Sequence, residues 1–489
     1  FDPAAPAVQP AFGAKQPFAE PAQPAFPGEA PTFSEPQPAP GQYSGAGHTP
    51  AAAATKNKHP IAIIAGVVIA LLAGGAGYYA FTGGGDDKSK TTAADESKSS
   101  SKGTKGSSKS RAGGGSNGKI LGPLVKVGPG GNFSTIGAAL NYLKENKSRY
   151  DTGSRRTSCK VEVIGGETYN EAIVVDNSGN AYPPGILLVS AGVGRAKLAP
   201  SGSGPAIKLV GIENFGIHGF DVDASGKDVA IEMSGYLNRS NLKNLKVSGY
   251  AKVGIAMKGA VGFSNDEIIL EKIDLRGAGG TTAGIHLTQG ENSASRIKIL
   301  NCRLIGPQDN GLLVESDVAY IEMRENIIAD AGVGISFPNG PLTLKDVQIL
   351  NTTFYKCSRG GITLGQMPTP PGGISGSGGL AITRNLFAQV NGPELLIEND
   401  FDDKKFDRYF SADGGGVDQN WSDRQQAADI TAGQRDIVHR ENQRVPTIQF
   451  SSTDSDSDDF LRLEKNTPYS QVGGARLKTK PYIGARPAE

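Results

Sequence analysis

Only three cysteines, Cys159, Cys302 and Cys357, occur in 489 residues. They are too few and too far apart for a disulfide framework or a four-ligand zinc site, so stability has to come from burial and hydrogen bonding. Tryptophan occurs once, at Trp421, and aromatics reach only 7% of the chain. That scarcity speaks against a processive polysaccharide enzyme, which needs sugar-stacking platforms. Neither sign of charge dominates: Lys+Arg 50 against Asp+Glu 49 leaves +1. There is thus no basic field to recruit nucleic acid, which is excluded as an expected partner, and no acidic one to keep the whole chain unfolded. Methionine is absent from the start, the four being Met233, Met257, Met323 and Met367, and a chain opening on Phe1 implies further sequence upstream. Glycine is what abounds, with 67 residues. It lacks the every-third-residue period that collagen requires.

The text divides into blocks. Residues 1–59 are rich in proline and alanine, in units such as QPAF and PTF, and read as a disordered, partly polyproline-like tether. Its sparse Phe12, Phe18, Phe26 and Phe33 do not suffice for a core. Residues 60–82 contain IAIIAGVVIALLAGGAGYYAF, 21 residues without a charge. As a helix rising ~1.5 Å per residue this would cross about 30 Å of hydrocarbon, so a single transmembrane helix is predicted. Tyr78 and Tyr79 would close it at the interface, and Lys56 and Lys58 open it. A large C-terminal domain translocates regardless of nearby charge, which favours the tether in the cytoplasm and the rest outside. Ala62, Gly66, Ala70 and Gly74 recur every fourth residue on one helix face, the pattern through which two spans approach as a homodimer. Residues 83–118, rich in Gly, Ser and Lys, read as a flexible stalk.

From 119 the chain repeats. GFDVDA (219–224), NLKVSG (244–249), KIDLRG (272–277), NCRLIG (301–306), ENIIAD (325–330), NTTFYK (351–356) and RNLFAQ (384–389) share an apolar fourth residue: Val222, Val247, Leu275, Leu304, Ile328, Phe354, Phe387. These anchors lie 25, 28, 29, 24, 26 and 33 residues apart. Each is followed by a second short strand, such as AIEM (230–233) or GIHL (284–287). Strands of period two, with no room for a helix between them, predict coils of a parallel β-helix over 119–400, with 401–489 as a C-terminal cap and irregular extension. In this register the residue two before each anchor also faces inward: Phe220, Leu245, Ile273, Cys302, Asn326, Thr352, Asn385. Its polar members are expected to hydrogen-bond along the coil axis. The residue just before the anchor faces outward and reads Asp221, Lys246, Asp274, Arg303, an expected ion-pair ladder. No disulfide is expected, and Cys357, three residues past its anchor, is placed at a turn where reagents reach it first.

FSTIGAALNYL (133–143) reads as a capping helix opening at Ser134 or Thr135, followed by CKVEVIGG (159–166), ETYNEAIVV (167–175) and GILLVS (185–190) as strands of the first coil. On GGETYNEAIVV, and on a C-terminal RNLFAQ…DFLRLEKNTPYSQVG…PYIGA, the sequence resembles the pectate-lyase-like superfamily of right-handed parallel β-helices. The resemblance implies an all-β solenoid with a short N-terminal cap. It leaves activity open, because that scaffold carries lyases, hydrolases, esterases, epimerases and non-catalytic proteins.

The superfamily's catalytic patterns are incomplete. Arg296-Ile297-Lys298 matches a polygalacturonase-like tripeptide without its histidine and aspartate partners, and Gly216-Ile217-His218-Gly219 lies too early. Gly306-Pro307-Gln308-Asp309 resembles the pectin-methylesterase Gly-x-Gln-Asp, which would make Asp309 a general acid and Gln308 an oxyanion donor, with Asp317 as the second carboxylate. Gln308, Asp309 and Asp317 are therefore the candidate catalytic residues. Calcium-dependent lyase chemistry is disfavoured, since Lys246 separates Asp221 and Asp223 from Asp274. His286 and Glu232 share a column but stand about 10 Å apart, which suits surface residues better than an acid/base pair. Asp454, Asp456, Asp458 and Asp459 lack the glycine and closing glutamate of an EF-hand and read as a solvated loop. No metal or cofactor is called for. The leading expectation is a non-catalytic, membrane-anchored β-helix outside the cytoplasm, with the bilayer and an envelope or extracellular polysaccharide as partners. An esterase- or lyase-like enzyme on acidic glycans is the alternative. The tether and single span also resemble bacterial membrane Ser/Thr kinases, whose sensing half this would be.

Overall fold

The computed structural model describes residues 122–151, 157–261, 267–289, 294–338, 344–366, 379–399, 416–424, 429–430, 435–436, 443–445, 447–464 and 484. The expected tether, transmembrane helix, small-residue ladder and stalk lie outside these. Among the described residues no helix is long and apolar enough to cross a membrane.

The described chain winds as a parallel β-helix with three faces. Face A begins with Leu124–Val127 and Cys159–Ile164 and runs, strand on strand, to Gly416–Asp418. Face B runs from Thr168–Tyr169 to Trp421–Ser422 and Gln443–Arg444. Face C runs from Ile173–Asp176 to Asp429–Ile430. Every pairing along the faces is parallel, and strand twist favours the right hand for such connections. The coils continue past 400: Gly416–Asp418, Trp421–Ser422 and Asp429–Ile430 form one more inside the segment expected to be cap and irregular extension of the β-helix. One boundary shifts the other way. Ile186–Ala191 stacks on Cys159–Ile164, Cys159 opposite Ile186, so GILLVS opens the next coil and does not close the first.

The expected register holds at every anchor. Val222, Val247, Leu275, Leu304, Ile328, Phe354 and Phe387 are successive partners on face B. All are buried, and the last two rings stack in parallel planes with centroids 4.8 Å apart. The inward column before them is buried as well; its asparagines take up backbone groups between coils, whereas Thr352 Oγ1 donates within its own coil, to Leu350 O, and not along the axis as expected. Asn326 Oδ1 accepts from Cys302 N at 2.9 Å while its Nδ2 donates to Ile299 O at 2.9 Å. Asn385 repeats the arrangement with Thr352 N and Ile349 O, and Asn420, which the sequence reading passed over, continues it with Asn385 N and Ile382 O. This column turns inward because the residue ahead of it bends the chain. Asn244, Lys272, Asn301, Glu325, Asn351, Arg384 and Gln419 all adopt φ between 48° and 58°, a left-handed corner from face A to face B that costs non-glycine residues of order 1 kcal/mol each. At the other corner, Gly284 and Gly311 are required by close approach: a Cβ would lie 2.8 Å from Gly311 O and 2.6 Å from Gly334 O, on the next coil in each case.

Helix Ile136–Glu145 caps the first coil, burying Ile136, Ala139, Leu140 and Leu143. Thr135 is the N-cap and accepts from Ala138 N. Glu171, the acidic residue of the entry motif, accepts from Ile136 N and Gly137 N at 2.6 and 2.8 Å, placing a carboxylate at the positive end of the helix. The three thiols are free and buried, Cys357 included. The exposed position expected for Cys357 is not found, because the left-handed Lys356 turns the next side chain into the barrel.

Candidate functional site

Alternate residues of the face B strands point out of the barrel in two columns. One reads Lys197, Asp221, Lys246, Asp274 and Arg303 on successive coils, then Ile327, Thr353, Leu386 and Trp421. The other reads Asp223, Ser248 and Arg276, then Ile305, Ala329, Tyr355 and Ala388. Each changes from charged to apolar within one coil of the other. The apolar half is covered by the C-terminal segment, whose Val445, Ile448, Phe460, Leu461 and Leu463 form with it a second hydrophobic cluster outside the barrel. Burying each Leu or Phe here stabilises by about 1.5–3 kcal/mol. Trp421 belongs to this cluster, and the covering segment, residues 445 and 447–464, forms a strap over face B.

Where the strap meets the charged half, its acidic loop docks. Ser451 N donates to Arg462 O and Leu461 N to Ser452 O, closing a hairpin-like turn. At the tip, Arg276 donates to the Asp456 carboxylate and, at 2.9 Å, to Ser455 O, which Arg303 also reaches. Arg303 stacks its guanidinium over Phe460, 5.2 Å from the ring centroid. The loop expected to be solvated is thus fastened to the solenoid by two arginines.

Beside it lies a groove of about 560 Å³ over the charged half of face B, floored by Lys246, Ser248 and Asp274 and walled by Asp456 and Asp458. A second groove of about 380 Å³ shares Lys246, Asp274, Arg303 and Asp458 with it and extends toward Lys272 and Glu325. The carboxylates here are engaged. Asp274 meets Arg276 at 3.2 Å and Arg303 at 3.9 Å, Asp221 meets Arg195 at 3.3 Å, and Asp223 meets Lys197 at 3.0 Å. The Ser225 hydroxyl, with Lys197, holds the Asp223 carboxyl down at about 2. Burial works against the Arg276 charge, yet Asp274 and Asp456 outweigh it and raise its pKa; at Arg303 burial prevails and lowers it. Both stay protonated, as arginine does in proteins. The expected ion-pair ladder is therefore realised on the Asp274–Arg303 step alone, the remaining carboxylates turning to Arg195, Lys197 and Arg276. The Lys246 ammonium is left exposed without a hydrogen-bond or ion-pair partner among the described residues, and so is that of Lys272.

The residues singled out for esterase chemistry do not converge. Gln308 and Asp309 are consecutive in the strand Arg303–Glu315 and point to opposite sides of it. Gln308 is buried in the barrel, accepting from Tyr250 Oη at 3.4 Å, with its Nε2 unpartnered. Asp309 faces solvent beside Arg359, 3.7 Å away. Asp317 lies beyond the far end of the same strand, roughly 25 Å along the chain at ~3.3 Å per residue. Glu232, Ala256 and His286 do stack in that order on face C, but the partner of His286 is Glu315, at 2.7 Å. Among the described residues no group of three or more His, Cys, Asp or Glu is arranged to hold a metal ion. The groove escaped the sequence reading because its wall comes from the strap; the available signal was the change from charge to Ile327, Leu386 and Trp421 in the outward column, which requires a cover.

The chain matches no protein-family profile and no curated protein. Several solved structures are similar to it. A tailspike protein gp49 from Acinetobacter baumannii bacteriophage Fri1, a capsular polysaccharide depolymerase, aligns at 9% identity and a TM-score of 0.38, over 67% of this chain and 58% of the tailspike's length. Geobacillus virus E2 ORF18 aligns at 12% identity and 0.31, over 54% of this chain and 49% of its own. A pectin methylesterase from Aspergillus niger aligns at 12% and 0.25, over 62% and 84%. The strand register by itself makes the described chain a parallel β-helix, the fold that the entry motif led us to expect.

Proposed function

We propose that this chain displays its β-helix outside the cytoplasm from a single membrane span at 60–82, on the stalk at 83–118, and that the groove on face B binds an envelope or extracellular glycan without cleaving it. The observation that carries the reading is the groove itself. Charged and hydroxyl side chains are fixed on strands about 4.8 Å apart, so a linear chain lying along the coil axis meets a new polar group at each coil. The Lys246 ammonium stands among them without a partner among the described residues. Binding is favoured over hydrolysis because acid catalysis calls for a carboxyl raised toward neutrality, whereas Asp223 is held at about 2 and Asp221 and Asp274 lie beside arginines.

The test is retention of the detergent-solubilised full chain on a panel of envelope and extracellular polysaccharides. Wild type is expected to be retained on at least one and Lys246→Ala to lose several-fold of that retention; retention nowhere on the panel overturns the reading. Reducing-sugar or methanol release from the same panel would overturn its non-catalytic part. Deleting residues 60–82 should move the protein from the membrane to the soluble fraction.

A further inference from the structure

The strap's acidic loop bears on which glycan the groove can take. Over the larger groove four cations, Lys197, Lys246, Arg276 and Arg303, face five carboxylates, of which Asp456 and Asp458 come from the strap. Without those two the lining would carry a surplus of cations. The loop therefore consumes charge that the solenoid provides: Asp456 occupies Arg276, and the carbonyl of Ser455 takes donors of both Arg276 and Arg303. The cations left without a partner among the described residues are Lys246, which lines both grooves, and Lys272 on the adjacent coil, which lines the smaller one.

Resting on the glycan-binding reading above, we infer that the strap makes the groove selective for glycans bearing isolated anionic substituents on an otherwise neutral chain, and that Asp456 and Asp458 are the residues that reject polyanions. A single carboxylate, sulfate or phosphate group reaches Lys246 and Lys272. A densely charged chain instead runs against Asp221, Asp223 and Asp274 on the floor and Asp456 and Asp458 on the wall, which like-charge repulsion penalises. The strap thus acts as a resident stand-in for the anion at Arg276, and its removal or neutralisation opens the arginine half of the groove to polyanions.

The full chain is compared with Asp456→Asn, with the double variant Asp456→Asn/Asp458→Asn, and with Lys246→Gln. The probes are an oligosaccharide carrying one carboxylate, polygalacturonate, and a polyglutamate peptide that has charge but no sugar. Wild type should prefer the singly charged oligosaccharide to polygalacturonate, and the double variant should bind both polyanions about three- to tenfold tighter than wild type, with the single variant between. Lys246→Gln should weaken the oligosaccharide by a few-fold. An unchanged thermal midpoint in Asp456→Asn guards against a detached strap, and Lys246→Gln, on a strand, reads the cation side independently. Polyanion affinity unchanged in both Asn variants, or wild type preferring polygalacturonate, overturns the inference. If no saccharide binds while the double variant gains polyglutamate, the glycan reading fails and the charge selectivity stands.

Discussion

Asn385 bridges two coils inside the barrel: its Oδ1 accepts from Thr352 N at 2.8 Å, and its Nδ2 donates to Ile349 O at 2.9 Å. Thr352 follows the left-handed corner at Asn351, and the side chain partners its backbone N–H there. Asn385→Ala removes both bonds and strands the buried Thr352 N–H. We expect a loss of about 2–4 kcal/mol in urea unfolding, against well under 1 kcal/mol for Asn399→Ala, whose side chain bonds Gly365 O from a part-buried position. Equal effects at the two positions would refute the assignment of the inward column.

The strap has its own core, separate from the barrel's, so it should be detachable without unwinding the solenoid. Phe460→Ala deletes its largest fully buried side chain, at a cost of about 3–5 kcal/mol to docking. The variant should be cut by protease within 445–464 far faster than wild type while keeping its far-ultraviolet circular dichroism. Loss of the β signal would mean that barrel and strap fold as one unit.

Asp223 contributes a pH dependence whose sign follows from its depressed pKa. The unfolded carboxyl titrates near ~4 and the folded one at about 2, so the native state is stabilised above about pH 4 and loses that contribution as pH falls toward 2. The difference in urea midpoint between wild type and Asp223→Asn should be constant from pH 5 to 7 and close to zero near pH 2. A difference that persists in acid would indicate that the Ser225 and Lys197 contacts are not made in solution.

Burial pushes the thiols of Cys159, Cys302 and Cys357 up to about 12. The folded protein should therefore resist a thiol reagent at pH 8 at all three positions, and the unreduced, denatured protein should titrate three thiols. Mass mapping that finds Cys357 labelled ahead of the others in the folded state would contradict its inward placement.

The sequence by itself determined the solenoid. Period-two strands recurring every 24 to 33 residues bury one face only in a single register, and a slip by one residue would have turned Val222, Val247 and Leu275 out to solvent. The same alternation announced Asn326, Thr352 and Asn385 as inward residues, and it located the charged outward column. It did not part Gln308 from Asp309, which one strand turns to opposite sides. Only the tertiary structure decided what lies over face B. The contact that makes the groove, Arg276 with Asp456, joins residues 180 apart in the chain. Such a pairing leaves no local period to read, because a strap is placed by the apolar area it covers and by the charges it meets, and both are set once the coils have stacked.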